Sequence, residues 1–261
     1  MRFKYNSLKW HVFIAIILVT GILYQSFILF QNVDFYQPKQ EFYFPYDSFA
    51  YITIDVDFQE SPNGAENIIP DISTRGSGIV IGTTENQNAA VLTANHVCNP
   101  APFLSSLWNT SAEKNITITD FHGNTYTATI LLTNMRDDLC LLEVEGFMAP
   151  GVRLANEEAF IGEKVYNVAS PMAFFSPGMV PLLDGYYSGD VYSSSGIDSV
   201  YTVPAQAGSS GSAVLNKDGE IIGVIHSALS NYEHVAICST LEQVTSFLLE
   251  FESSLNGTLT H

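Results

Sequence analysis

Gly78-Ile79-Val80-Ile81, the polar Glu85-Asn86-Gln87-Asn88, and Ala89-Ala90-Val91-Leu92-Thr93 read as two short apolar strands around a turn. The same unit recurs along the chain. Residues 50–56 alternate and are rich in β-branched and aromatic side chains. Residues 116–132 carry a hairpin signal, His122-Gly123-Asn124, between two β-branched runs. Further short strands are predicted at 164–169, 185–191, 199–203, 212–215, 220–226 and 234–238. Many short strands separated by turn residues predict an all-β sandwich or barrel. One helix is expected. Ser239-Thr240-Leu241-Glu242 has the form of a capping box, and Leu241, Val244, Phe247, Leu248 and Phe251 then share a face.

The 261 residues suffice for one large all-β domain or two small lobes, and 46% of them are apolar, enough for a sizeable core. The formal net charge is −17, and the first thirty residues contribute Arg2, Lys4 and Lys9 with no acid. An acidic body without a basic stripe argues against nucleic-acid binding. The three cysteines are too few for a disulfide framework. Cys140 and Cys238 lie in apolar runs and read as small core residues, while Cys98 has no obvious partner. No Cys/His cluster has metal-ligand spacing, and no cofactor is implied.

Residues 12–30 form an apolar stretch of the length that spans a bilayer, preceded by the basic residues and followed by Asp34. A cleaved signal peptide is the alternative. The run is long for that role and lacks a small-x-small cleavage site, which favours an anchor with a cytoplasmic N-terminus and a periplasmic or extracellular body. Residues 31–47, with Pro38 and Pro45, are expected to form an extended stalk, and residues 59–74 a polar loop.

Three segments carry chemistry. Leu92-Thr93-Ala94-Asn95-His96-Val97 puts a histidine at the end of an apolar strand. Asp138 leads directly into Leu139-Cys140-Leu141-Leu142, with Asp137 as its competitor. Ala207-Gly208-Ser209-Ser210-Gly211-Ser212 holds a hydroxyl between two glycines. A base, an acid that orients it and a hydroxyl nucleophile, in the order His96…Asp138…Ser210, are the parts of a serine hydrolase site. Gly208 and Gly211 permit a tight turn that can aim the amides of Gly208 and Ser210 at one point, an oxyanion hole. Each segment alone has a plain structural reading; the three in this order and context do not.

With their flanks, these segments resemble the chymotrypsin-like (trypsin-like) serine proteases, most closely those of HtrA/Deg type. The resemblance rests on Gly76-Ser77-Gly78-Ile79-Val80-Ile81 with the His96 strand, and on Arg136-Asp137-Asp138-Leu139-Cys140-Leu141-Leu142-Glu143-Val144. Gly162-Glu163-Lys164-Val165 with Ser170-Pro171 adds to it, as do residues 207–215 followed by Asp218-Gly219-Glu220-Ile221-Ile222-Gly223-Val224. It spans roughly residues 48–250 and implies two six-stranded antiparallel β-barrels, residues 48–150 and 151–238. A C-terminal helix at 239–251 would close them, and a tail would follow at 252–261. The implied activity is cleavage of peptide or protein substrates through an acyl-enzyme.

The chain departs from the family in three places. Ser212-Ala213 stands where Gly-Pro is common. Ser209 stands where digestive members have Asp, so activation by a new N-terminus is not expected. A PDZ module, which many HtrA-type members carry, is not expected. In the strand after Gly223, an ungapped register turns Ile225 toward the specificity pocket and favours a small or apolar side chain before the cleaved bond. A bulge would bring in His226 instead. His122 and His234 read as surface residues. Two other functions compete. A catalytically weak or inactive peptide-binding protein on a protease scaffold is the alternative, since fold alone does not fix activity. An α/β-hydrolase esterase fails, because its elbow needs Gly where this chain has Ser212, and its histidine should follow the serine. Oligomeric state and physiological substrate are not encoded legibly.

Overall fold

The structure is a computed structural model that describes residues 11, 15, 17–21, 45–58, 72–100, 112–192, 196–229, 232 and 234–254. The chain divides into two units, Met1–Glu41 and Phe42–His261. In the first, residues 17–21 are helical. Among the described residues no helix is long and apolar enough to cross a membrane. Most of the expected anchor at 12–30, and the stalk up to residue 44, lie outside the described residues.

Among the described residues, the second unit holds twelve strands in two closed barrels. The first comprises β1 (Phe49–Phe58), β2 (Ile72–Thr83), β3 (Ala89–Ala94), β4 (Ala112–Asp120), β5 (Thr125–Asn134) and β6 (Leu139–Val144), in the order β1-β2-β3-β6-β5-β4. The second comprises β7 (Lys164–Val168), β8 (Leu182–Tyr192), β9 (Ile197–Tyr201), β10 (Ala213–Leu215), β11 (Ile221–Ala228) and β12 (Ala236–Thr240), in the order β10-β11-β12-β9-β8-β7. All pairings are antiparallel. A one-turn helix α1 (Asn95–Cys98) follows β3, and α2 (Leu241–Ser253) follows β12.

The apolar runs are continuous because they serve two cores. Along β6, Cys140, Leu142 and Val144 point into the first barrel with Ile52, Ile54 and Val91. The alternate residues Leu139 and Leu141 point the other way, into a seam shared with Ile79, Leu92, Val168, Leu215 and Ile221. Period-two alternation with both faces buried removes the polar half of the pattern. Helix α2 packs Val244, Phe247, Leu248 and Phe251 into that same seam. Val165, Tyr201, Val214, Ile225 and Cys238 fill the second barrel.

Three expectations need correction. The stalk does not run to residue 47, since Tyr46–Ser48 form a 3-10 turn and Ser48 Oγ donates to the Pro150 carbonyl at 2.6 Å. The helix cap is Thr240, whose hydroxyl accepts from the Gln243 amide at 3.2 Å while Gln243 Oε1 accepts from the Thr240 amide at 2.7 Å. Ser239 cannot cap, because it is paired with Val224 in β12 and donates its hydroxyl to the Asp137 carbonyl at 2.6 Å. Cys140 is a core residue but not a free one. It forms a disulfide with Cys98 across 42 residues, leaving Cys238 as a buried thiol.

Candidate active site

Strand register brings the first two candidates together. In the β3–β6 pair, Ala94 lies opposite Leu139, so the residues just beyond those two strand ends are neighbours. Asp138 takes a left-handed backbone conformation, φ 52°, which aspartate tolerates better than most residues. The turn aims its carboxylate at α1. His96 then uses both oxygens: its amide donates to Oδ1 at 2.8 Å, and its Nδ1 lies 2.6 Å from Oδ2. The Asn95 amide adds a bond to the Asp138 carbonyl at 3.0 Å.

Burial pushes the Asp138 carboxyl up. The hydrogen bonds and charge of His96, together with the charge of His226, outweigh that effect and hold it below the ordinary range. An ionised carboxylate is an acceptor only, so Nδ1 donates to it, and in the neutral imidazole Nε2 then carries the lone pair. The His96 side chain is 46% exposed, leaving that lone pair accessible.

Asp137 is committed elsewhere. Its carboxylate accepts from Asn134 Nδ2 at 3.0 Å and Gln243 Nε2 at 3.2 Å, and its carbonyl from Ser239 Oγ. It ties the β5–β6 turn to the start of α2.

The Ser210 turn is clamped from both barrels. Its carbonyl accepts from the Ser77 amide of β2 at 2.8 Å, and the Ser77 hydroxyl donates to the Gly208 carbonyl at 2.8 Å. Ser170 reaches the same carbonyl at 3.3 Å and lies 3.0 Å from the Ser77 hydroxyl. Thr93 Oγ1 donates to the Ser77 carbonyl at 2.8 Å. These hydroxyls are fully buried and mutually satisfied, so they fix the turn rather than destabilise the core. Gly211, at φ 85°, presses on β3: a Cβ there would stand 2.0 Å from Thr93 Oγ1 and 2.3 Å from the Ser77 carbonyl. Ser210 is thereby held against β3, the strand that leads into the helix carrying His96. No Ser210–His96 hydrogen bond is formed in this state; such bonds often tighten only when substrate binds.

The amides of the turn divide into two groups. Those of Ser209, Gly211 and Ser212 donate to the carbonyls of Gln206, Ile225 and Ser209. Those of Gly208 and Ser210 make no hydrogen bond among the described residues. The Ala207 carbonyl is held by the Met172 amide at 2.6 Å. A trans peptide sets its C=O and N–H antiparallel, so that bond also fixes the direction of the free Gly208 N–H. Met172 and Ala173 both adopt positive φ, 54° and 59°, to make it.

The residues in which the turn departs from the family pattern complete it internally. Ser209 accepts from the Gln206 amide at 3.2 Å. The Ser212 hydroxyl donates to the Ser209 carbonyl at 2.6 Å and accepts from Asn167 Nδ2 at 2.9 Å.

The specificity expectation fails for Ile225. Strand β11 does bulge, with Ile225 opposite Cys238 and Ser227 opposite Ile237. Ile225 is 1% exposed inside the second barrel, opposite the buried Cys238 and before the bulge begins. His226 is the extra residue, part-buried with Nε2 3.3 Å from Asp198 Oδ1. A mainly apolar cavity of about 290 Å³ lies instead beside the segment leading into the Ser210 turn. Pro171, Met172, Leu183, Pro204, Ala205, Gln206 and His234 line it. His122 is exposed and pairs with Asp47 at 2.9 Å. Among the described residues no His/Cys/Asp/Glu group could hold a metal ion.

A sequence profile described as the trypsin-like peptidase domain matches residues 76–224, more than half of the chain. The chain belongs to the trypsin-like peptidase family. By class it is a serine endopeptidase, and its substrates are peptides or proteins. No curated protein sequence matches it.

Solved structures share the fold at low identity. The active form of the Rv3671c protease of M. tuberculosis superposes with a TM-score of 0.57 at 18% identity, over 83% of this chain and 84% of the other. The inactive form gives 0.54 at 16%, over 78% and 87%. The serine endoprotease of Yersinia pestis gives 0.56 at 17%, over 79% of this chain and 63% of that one.

Proposed function

We propose that this trypsin-like peptidase is a membrane-anchored serine endopeptidase of HtrA/Deg type. Residues 12–30 would be its anchor, with the N-terminus cytoplasmic and the barrels periplasmic or extracellular. The observation that carries the catalytic reading is the doubly hydrogen-bonded His96–Asp138 pair on the strand against which the Ser210 turn is clamped.

His96 Nε2 takes the proton from Ser210 Oγ as that oxygen bonds to the substrate carbonyl carbon, and the carbonyl π pair moves onto oxygen. The free amides of Gly208 and Ser210 receive the resulting oxyanion. Asp138 keeps the imidazole in the Nδ1–H tautomer and stabilises the imidazolium. The imidazolium then protonates the leaving amine as the C–N bond breaks. Water then bonds to the acyl carbon as His96 Nε2 takes its proton, and His96 returns that proton to Ser210 Oγ as the ester C–O bond breaks. The buried Cys98–Cys140 disulfide supports the exported placement, since such bridges persist outside the reducing cytosol.

The test is labelling of the purified full chain by a fluorophosphonate probe. Covalent labelling of the wild type, abolished in Ser210→Ala, is expected. Folded wild-type protein that resists the probe yet binds peptides would replace this reading with that of a peptide-binding protein on a peptidase scaffold.

A further inference from the structure

The segment after β7 leaves the second barrel and reaches across to the first. Phe175 stacks its ring on Tyr51 with centroids 5.1 Å apart and packs against Phe49 at 5.8 Å, both residues of β1. Pro177 lies so close to Gly123 that a Cβ on that glycine would stand 2.6 Å from Pro177 Cγ. The Gly178 amide donates to the Phe121 carbonyl at 2.7 Å. The far end of the segment is thus pinned to β1 and to the β4–β5 turn.

The near end carries strain. Met172 and Ala173 are consecutive non-glycine residues in the left-handed region, at φ 54° and 59°. Such a conformation costs free energy at each residue and persists only where its surroundings impose it. Their own side chains give no anchor: Met172 is 71% exposed, Phe174 after them is 62% exposed, and Ala173 has only a methyl group. Phe175 is the first residue beyond the turn whose side chain packs against the core. What the strained turn achieves is the bond from the Met172 amide to the Ala207 carbonyl at 2.6 Å, which fixes the direction of the Gly208 N–H. The same turn backs directly onto Gly208, where a Cβ would stand 2.4 Å from the Ser170 carbonyl oxygen and 3.2 Å from the Ala173 amide nitrogen. Freed from the pin, Met172 and Ala173 would relax to ordinary φ and the Met172 amide would leave Ala207.

We propose that Phe175 is a positioning residue of the peptidase reaction: seated on Tyr51 and Phe49, it holds the strained Met172–Ala173 turn that aims the Gly208 amide at the oxyanion. The inference rests on the catalytic assignment above. One half of the oxyanion hole, built on the second barrel, thereby takes its shape from an aromatic seat on the first.

The experiment measures kcat and KM of the full chain for p-nitrophenyl acetate, a small ester that needs no side-chain pocket. Rates are taken per folded protein, from circular dichroism, after subtraction of the Ser210→Ala rate. For Phe175→Ala, kcat is expected to fall about tenfold with KM within about twofold, short of the roughly 10²- to 10³-fold cost of losing an oxyanion donor outright. Inhibition by phenylboronic acid, whose tetrahedral adduct on Ser210 places an oxygen in the hole, should weaken by a similar factor. Adding Ala173→Gly removes the left-handed penalty without restoring the ring, so the double variant is expected to recover about fivefold in kcat. A role confined to packing predicts a lower thermal midpoint with kcat per folded protein unchanged, or a loss of kcat that Ala173→Gly leaves or deepens; either result overturns the proposal. Phe175→Leu, expected to lose about threefold with the same rescue, takes the place of alanine if that variant does not fold. Wild-type protein that neither labels with fluorophosphonate nor turns over ester overturns the peptidase reading as well, which separates the two failures.

Discussion

Removing the Cys98–Cys140 bridge tests whether the site depends on a covalent tie. The half-cystines stand two residues after His96 and two after Asp138, so the bridge joins the two segments that carry the candidate base and acid. In the chain-entropy account, closing a loop with a sequence separation of 42 restricts the unfolded ensemble by about 4 kcal/mol. Both residues are fully buried in the first barrel, so alanine is the better replacement; serine would add hydroxyls with no assured partner.

For a two-barrel domain of this size, that loss corresponds to a fall in thermal midpoint of roughly 8–16 °C. The assay is thermal unfolding of wild type and Cys98→Ala/Cys140→Ala without reductant, with thiol titration of the unfolded wild type. One reactive thiol, that of Cys238, is expected. Three thiols, or midpoints that agree within about 2 °C, would refute the reasoning.

Gly211→Ala forces a Cβ into Thr93 Oγ1 and the Ser77 carbonyl at a positive φ, so at least 2 kcal/mol of destabilisation is expected, roughly the sum of backbone strain and overpacking. Because the collision is with the strand leading to His96, fluorophosphonate labelling should fall further than the folded fraction, measured by circular dichroism on the same samples. Asp138→Asn should lower turnover by about 10⁴ by misplacing the His96 tautomer. The same variant carries a stability signature. The Asp138 carboxyl is held below its ordinary value of 3.8, so its contribution is fully present above that value and is lost as pH falls through the depressed one. Urea denaturation should show a wild-type advantage over Asp138→Asn at pH 6 that closes on acidification below pH 3.8; an advantage that widens there would contradict the shift.

The site segments could be read in sequence because each couples a reactive residue to a backbone demand. His96 ends an apolar strand, Asp138 starts one, and Ser210 sits between glycines whose missing side chains would strike Ser170, Thr93 or Ser77. Adjacency to the Leu139 run favours Asp138 over Asp137 in the sequence, and in the structure a left-handed turn aims the Asp138 carboxylate at His96. What escaped depends on three-dimensional pairing. The Cys98–Cys140 bridge follows from the β3–β6 register, which no spacing rule exposes. The clamp of Ser77, Thr93 and Ser170 consists of common hydroxyl residues from separate strands and loops, and the 290 Å³ cavity is assembled from four separated segments. The β11 bulge has no glycine to announce it, so the fates of Ile225 and His226 could be stated only as alternatives. The helix cap missed by one residue, because Ser239 and Thr240 are equally good cappers until strand pairing claims the first.

The hydroxyl clamp also sets the order in which the chain can become active. The candidate base and acid belong to the first barrel, the nucleophile turn to the second, and the hydrogen bonds from Ser77 to Gly208 and Ser210 cross between them. A nascent chain whose second barrel has not closed carries an imidazole with nothing to activate and a serine without a shaped turn. Under the proposed assignments, a peptidase threading through a membrane beside other unfolded chains stays inert until the seam between its halves is sealed.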